Sequence, residues 1–294
     1  MIKEVQIKSA IHFHKAKFAA NYDLNIYRGC EHRCQYCFAQ YTQDYLNSNF
    51  FGDVFVKTNI AEILDKELSK KTWKGDLIDI SAVCDCYQPL ENRYKLMQGV
   101  LEVLIKHKNP VFILTKSPLI LRDFDLIKKL SEVTKVCIGA SITTLDENIS
   151  KKLESNVVSG VERLEMLKEF ASLKTCKTCV MLMPVIPYLT DTVKNIEDIF
   201  IISKKYKIDA LICGILHLRG ELKKKFFNFL SYNFPFTLKH LQRLYKAAYV
   251  SKNYDDKFET FLRKIRKRYG LYWFKPGELE QQKGEDIELN LFSD

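Results

Sequence analysis

The chain has 294 residues, 47% apolar and 28% charged, with nine cysteines and a net charge of +10. That length can bury a substantial core as one large domain or two small ones, and the composition is that of a globular protein. No apolar run approaches the roughly eighteen residues of a membrane span, and the opening MIKEVQIKSAIHFHK lacks the apolar core of a signal peptide. A cytoplasmic location with no membrane partner is therefore expected. A reducing compartment keeps thiols free, so the cysteines read as metal ligands or chemistry rather than staples.

Short apolar runs occur at 23–27, 77–82, 111–115, 136–142, 179–184 and 210–216. They are rich in Val, Ile and Leu without clean alternation, as in strands buried on both faces. Amphipathic stretches at 58–70, 91–107, 122–132, 159–173 and 192–205 separate them and predict helices. Asp123 and Ser159 are placed to cap two of these, and Thr192 follows a proline-containing turn. The alternation predicts a parallel sheet with right-handed crossovers. Six units fall short of the eight of a closed barrel. The expected fold is α/β, an open six-stranded partial (β/α)6 TIM-type barrel over residues 1–220.

After Gly220 the pattern turns helical at 223–230, 238–249 and 257–268, then a short aromatic run follows at 271–274. Residues 221–275 are read as a basic helical C-terminal extension, and 276–294 as an acidic, mobile tail. Between Lys239 and Lys275 there are eleven Lys/Arg against three Asp/Glu, including RKIRKR at 263–268. The tail carries six acids and one lysine. Such a block suits a nucleic-acid partner and equally a solvated helix face.

The stretch NIYRGCEHRCQYCFAQ, residues 25–40, places Cys30, Cys34 and Cys37 on the loop after the first apolar run. Structural zinc sites take four protein ligands, commonly in two separated pairs, and no matching pair lies at a suitable spacing. Three thiolates on one loop suit an iron–sulfur cluster that leaves one iron without a protein ligand, and an open coordination position is where a catalytic metal receives its substrate.

C-x3-C-x2-C followed by an aromatic residue, after the first strand of a β/α protein, resembles the signature of radical S-adenosylmethionine (SAM) enzymes. With CDCYQPLE, ILTKSPLILRDFDLI, ASITTLDENISKKLE and PVIPYLTD in order, residues 20–235 resemble the spore photoproduct lyase-like family, whose members are sometimes called DNA repair photolyases. The resemblance implies a [4Fe–4S] cluster on Cys30, Cys34 and Cys37, with SAM on the fourth iron. It also implies an external electron donor such as flavodoxin or ferredoxin, and a DNA or other nucleic-acid substrate. Tyr36 and Phe38 match aromatic residues near the cofactor. Lys116 matches a lysine suited to the methionyl carboxylate, and Ser141 a serine suited to the ribose. Asp85, Gln88, Glu91 and His217 are expected on the same face as cofactor or substrate contacts.

Two departures stand out. The lyase has a tyrosine where this chain has Phe38, and its hydrogen-donor cysteine matches Ala82. Cys84 and Cys86 flank Asp85 on that loop and are candidate hydrogen donors or inert small apolar residues. Cys137, Cys176, Cys179 and Cys213 are expected in the core. Cys84, Cys86, Cys176 and Cys179 form the alternative set for a second metal site. His12, His14 and His32 are placed near the cluster loop, His32 as a surface residue. The terminal IELNLF, 287–292, resembles the short peptide by which repair proteins dock on the sliding clamp. A radical SAM enzyme acting on a nucleic acid is the leading reading. The same chemistry on a peptide or protein, or a non-catalytic iron–sulfur redox sensor, are the alternatives.

Overall fold

The computed structural model describes residues 1–14, 20–40, 42 and 48–272; the acidic tail, its IELNLF motif and residues 273–274 lie outside them. In chain order, β1 (Ile2–Val5), β2 (Ile11–Phe13), β3 (Tyr22–Leu24), β4 (Tyr27–Arg28) and β5 (Val54–Lys57) lead to α1 (Ile60–Leu68) and β6 (Ile78–Ile80). Then come α2 (Glu91–Tyr94), α3 (Leu96–His107), β7 (Val111–Leu114), α4 (Phe124–Val133), β8 (Val136–Ser141), α5 (Glu147–Leu153) and α6 (Gly160–Ala171). β9 (Cys176–Val185), α7 (Val193–Lys205) and β10 (Ala210–Ile215) complete the alternation, and α8 (Gly220–Asn233), α9 (Pro235–Leu244) and α10 (Lys252–Tyr269) follow.

The large sheet has the order β10-β9-β8-β7-β6-β3-β2. Its six expected strands, β3 and β6 to β10, pair in parallel, and β2 adds an antiparallel edge against β3. With β10 and β2 at opposite edges the sheet stays open. The sequence missed β2 and a small sheet, β1-β5-β4. These strands are two to four residues long and partly exposed, so no apolar run marks them.

Alternate residues of the parallel strands feed two cores, as the period of two requires. Ile78, Ile80, Val111, Ile113, Val136, Ile138, Val180 and Leu211 pack under the helices. Leu77, Phe112, Cys137, Cys179, Met181, Ala210 and Ile212 fill the inner face. Cys176 opens β9, whereas Cys84 and Cys86 lie beyond the end of β6. Strand polarity separates the two pairs, and among the described residues no second metal site is assembled.

Ser159 caps α6 in a reciprocal box with Glu162, and Thr192 caps α7 through the Asn195 amide. Asp123 does not cap: its carboxylate is taken by Arg122 at 2.7 Å and Gln98 at 2.9 Å. The helix expected over 91–107 breaks at Lys95, which has a left-handed φ of 53°. The break follows from Glu91, whose buried carboxylate accepts from the Leu96 and Met97 amides at 3.0 and 3.1 Å and so caps α3.

The C-terminal helices cover the end of the barrel where the parallel strands finish. Leu222, Phe226 and Leu230 of α8, Leu241 of α9 and Tyr245 pack with Cys34, Tyr36, Leu153, Ile186 and Leu216. Tyr245 donates to the Leu216 carbonyl at 2.6 Å, and the Leu218 amide to Ala248 at 2.9 Å. α10 runs away from that end: Tyr254 in its first turn bonds Asp191, and beyond its last turn Tyr272 accepts from Leu211 near the start of β10. RKIRKR therefore lies toward the opposite end from the cysteine loop. No helix among the described residues is long and apolar enough to cross a membrane.

Candidate active site

The cysteine loop is built around a tight backbone approach. Gly29 sits at φ +92°, and a Cβ there would lie 2.2 Å from the Asp53 carbonyl, so only glycine fits. The Cys30 amide then donates to Phe50 at 3.0 Å, and the Cys37 amide to Cys34 at 3.1 Å. Gln88 is fully buried and pins the loop, accepting from the Glu31 amide at 2.9 Å and donating to Gly29 at 3.2 Å. The Gln35 amide ties the loop to Leu153 at the end of α5. Gly29→Ala is expected to destabilise the protein by about 2 kcal/mol or more and to lower the iron bound per chain. A denaturant midpoint equal to that of the wild type would show that the backbone approach is not as close as described.

All three cysteines open on one cavity of about 310 Å³ at the ends of the parallel strands. Tyr36, Phe38, Cys84, Asp85, Lys116, Ser141 and His217 line the same cavity, together with Met181 and Met183 from β9. Residues up to 187 positions apart in sequence are thus gathered because each lies in the later part of a parallel strand or on the loop beyond it. Phe38 is 48% exposed at the mouth, whereas Tyr36 is buried.

The donor set fits the expected cluster. The thiols come from one loop and face one cavity, with room beside them for a ligand. Among the described residues no three His, Cys, Asp or Glu side chains converge at single-ion spacing. Thiolates of a four-iron cluster each bind a different iron and stand wider apart than ligands of one ion. Burial pushes all three thiols above the usual range, so loading the site must displace their protons.

Behind this wall lies a buried ionic network that sequence reasoning missed. Glu154 and Arg163, 1% and 0% exposed, pair at 2.5 Å. Arg163 also donates to the Ser141 carbonyl at 2.6 Å, fixing the end of β8. Glu154 accepts from the Tyr36 hydroxyl and lies 3.8 Å from the Lys116 ammonium. Burial pushes the Glu154 carboxyl up, but Arg163, Lys116 and the hydrogen bonds from Arg163 and Tyr36 outweigh it and hold it below the usual range. In sequence both residues look like ordinary helix-surface charges, and their spacing of nine carries no signal.

Asp85 joins three segments rather than offering a free carboxylate. Its oxygens accept from the Thr115 hydroxyl and the Lys116 amide at 2.7 Å and the Tyr87 amide at 2.9 Å. His32 is 3% exposed and stands 3.4 Å from Asp85, so the expectation of a surface histidine is corrected. Glu91 and Gln88 do not line the cavity: Glu91 bonds Tyr27 at 2.5 Å and Arg122 at 2.7 Å beneath it. His12 and His14 belong to the β2 edge, with His14 3.7 Å from Asp23.

The two candidate thiols part company. Cys84 lines the cavity, and its S–H donates to the Tyr27 carbonyl at 2.9 Å. Burial pushes its pKa up to about 12. Cys86 is 1% exposed and does not line the cavity; its amide donates to the Ser81 hydroxyl at 2.9 Å.

Comparison with known proteins agrees with this geometry. The family model of the Radical SAM superfamily matches residues 24–200, more than half of the chain. An uncharacterized protein of Mycobacterium tuberculosis is 31% identical over 277 residues, covering 91% of this chain and 81% of that protein. One from Methanocaldococcus jannaschii is 30% identical over 271 residues, covering 91% and 90%. Among solved structures, a substituted spore photoproduct lyase with bound AdoMet and dinucleoside spore photoproduct shares the fold. Its TM-score is 0.68 at 14% identity, over 92% of this chain and 81% of that one.

Proposed function

From the premise that this chain belongs to the radical SAM superfamily, with a [4Fe–4S] cluster and SAM as its cofactors, we propose that it is an enzyme acting on a damaged or modified base of a nucleic acid. When bound, the two cofactors supply a 5′-deoxyadenosyl radical that abstracts hydrogen from a substrate carbon. The observation that carries the reading is one cavity holding the three loop thiols, the Lys116 and Ser141 side chains and a separate thiol, Cys84. A redox sensor has no use for that cofactor pocket.

Cys30, Cys34 and Cys37 would hold the cluster. Lys116, steadied by Glu154 and lying 5.9 Å from the centre of the Tyr36 ring, would take the methionyl carboxylate. Ser141, whose strand end Arg163 fixes, would take the ribose. Tyr36 and Phe38 would flank the cofactor, and Asp85 would position Lys116 through its amide.

Cys84 would return a hydrogen atom to the substrate radical. Its S–H bond breaks, a C–H bond forms, and the thiyl left behind takes one electron from the external donor protein and one proton from solvent. Only a protonated thiol can do this, and burial keeps Cys84 protonated at neutral pH. Spore photoproduct lyase, with its dinucleoside spore photoproduct, supports the choice of a nucleic acid as substrate.

The test is anaerobic reconstitution with dithionite and SAM, followed by deuterated oligonucleotides bearing candidate lesions. Label should appear in 5′-deoxyadenosine. Transfer from no oligonucleotide, alongside transfer from a peptide, would reassign the substrate. Cys84→Ala should still form labelled 5′-deoxyadenosine yet lose the hydrogen-quenched product, whereas Cys86→Ala should keep it. Equal product from both variants would remove Cys84 from the scheme.

A further inference from the structure

Residues 222–254 contain seven Lys/Arg and no Asp/Glu. They form most of α8, all of α9 and the loop beyond, the part of the chain seated on the cysteine loop. On α9, Thr237 and Leu241 are buried, while Phe236, Lys239 and Arg243 share the outer stripe at i, i+3 and i+7. Lys246 and Tyr249, on the loop beyond α9, are exposed as well. Phe236 is 90% exposed, Tyr232 81% and Tyr249 69%. Tyr249 stacks on His217, a cavity-lining residue, with ring centres 4.3 Å apart and planes at 21°. Three exposed cations therefore lie in sequence between exposed aromatic residues, the last of which meets the cavity lining.

The RKIRKR run differs in place and in pairing. Arg266 pairs with Glu259 at 3.8 Å and Arg268 with Glu197 at 2.6 Å. The end of α10 leads to the start of β10, away from the cavity. Among the described residues, Lys239, Arg243 and Lys246 have no carboxylate within ion-pair distance.

We propose that residues 222–254 are the surface that grips one nucleic-acid strand, with Lys239, Arg243 and Lys246 on its phosphates and Tyr249, backed by His217, stacking on the target base at the cavity entrance. This rests on the nucleic-acid reading above. Although Lys224 pairs with Glu221 at 2.6 Å, the α9 end of the segment keeps its cations free of carboxylates, and such a positive field suits a chain of phosphates. Aromatic faces stack on any base, and so hold a strand without reading its sequence. Burial and the neighbouring Arg219 lower the pKa of His217, which favours the uncharged imidazole beneath Tyr249.

The test uses the full-length, cluster-loaded protein and a fluorescently labelled single strand of about twelve nucleotides carrying a central 2-aminopurine. Wild type should bind, quench the 2-aminopurine and lose affinity with salt. Joint Lys239→Ser, Arg243→Ser and Lys246→Ser should flatten the slope of log affinity against log salt by roughly two, near 0.7 per phosphate released. Joint Arg263→Ser, Lys264→Ser and Lys267→Ser should leave it unchanged. Tyr249→Ala should weaken binding about ten-fold at constant slope and remove the quench, and Tyr249→Phe should restore both. If the strand binds as before in the Lys239/Arg243/Lys246 and Tyr249→Ala variants, this surface is wrong while the nucleic-acid reading stands. If wild type binds no strand at low salt but binds an acidic peptide through those cations, both the surface assignment and the nucleic-acid reading are overturned.

Discussion

Cys34→Ala should yield a colourless protein that forms no 5′-deoxyadenosine above background after anaerobic reconstitution. In the proposed cluster site three thiolates would leave one iron without a protein ligand, and removing one of them would leave only two to hold it. Cys34 is the middle cysteine of the loop, 7% exposed, with its carbonyl holding the Cys37 amide at 3.1 Å. Alanine keeps the backbone and the packing against α8 and α9, so the loss can be separated from misfolding by far-ultraviolet circular dichroism. Iron content and absorbance near the thiolate-to-iron bands provide the check. A Cys34→Ala protein with full iron and full SAM cleavage would contradict the assignment of the loop.

Glu154→Ala should be the most destabilising single change outside the cysteine loop. It leaves the Arg163 guanidinium, 0% exposed, without its carboxylate and frees the Tyr36 hydroxyl and Lys116 as well. Breaking a buried pair on one side typically costs about 3–5 kcal/mol, because the surviving charge stays desolvated. The joint change Glu154→Met with Arg163→Met removes both charges and should lose less than Glu154→Ala alone. Urea midpoints for the three proteins measure this, and a joint variant less stable than Glu154→Ala would refute the ion-pair account.

The same pair sets an acid limit. Glu154 has its carboxyl held low in the folded protein, so its stabilisation is complete above the unfolded carboxylate value of about 4.3. It is lost as pH falls through the lower folded value. In Glu154→Gln, stability should therefore depend less on pH below about 4 than in wild type, as read by urea midpoints across that range.

The sequence reached far where one local signal sufficed. Six apolar runs marked the parallel strands because a strand buried on both faces needs no alternation to be seen. The cysteine spacing marked the loop that opens on the cavity because all three thiols lie within eight residues. Ser159 announced its cap for the same reason, its partner Glu162 standing only three residues on. Where a feature depends on what stands opposite, sequence was silent or misled. Glu91 looked like an active-site carboxylate and instead breaks a helix, because the amides of Leu96 and Met97 turn toward it.

Asp85 and His32 followed the same rule, the first committed to neighbouring amides and the second buried against it. Cys84 and Cys86 are equivalent in sequence, yet only Cys84 lines the cavity, as side chains two apart take different surroundings on an irregular loop. The basic run that stood out in composition lies at the far end of α10, while the acid-free segment beside the cavity drew no notice. Local patterns thus determined the strands, the crossovers and the cysteine loop, since each is written in consecutive residues. Only the tertiary structure decided which charges are buried together, which thiol meets the cavity and which aromatic ring stacks on its lining. Those are properties of distances between segments, and no single segment carries them.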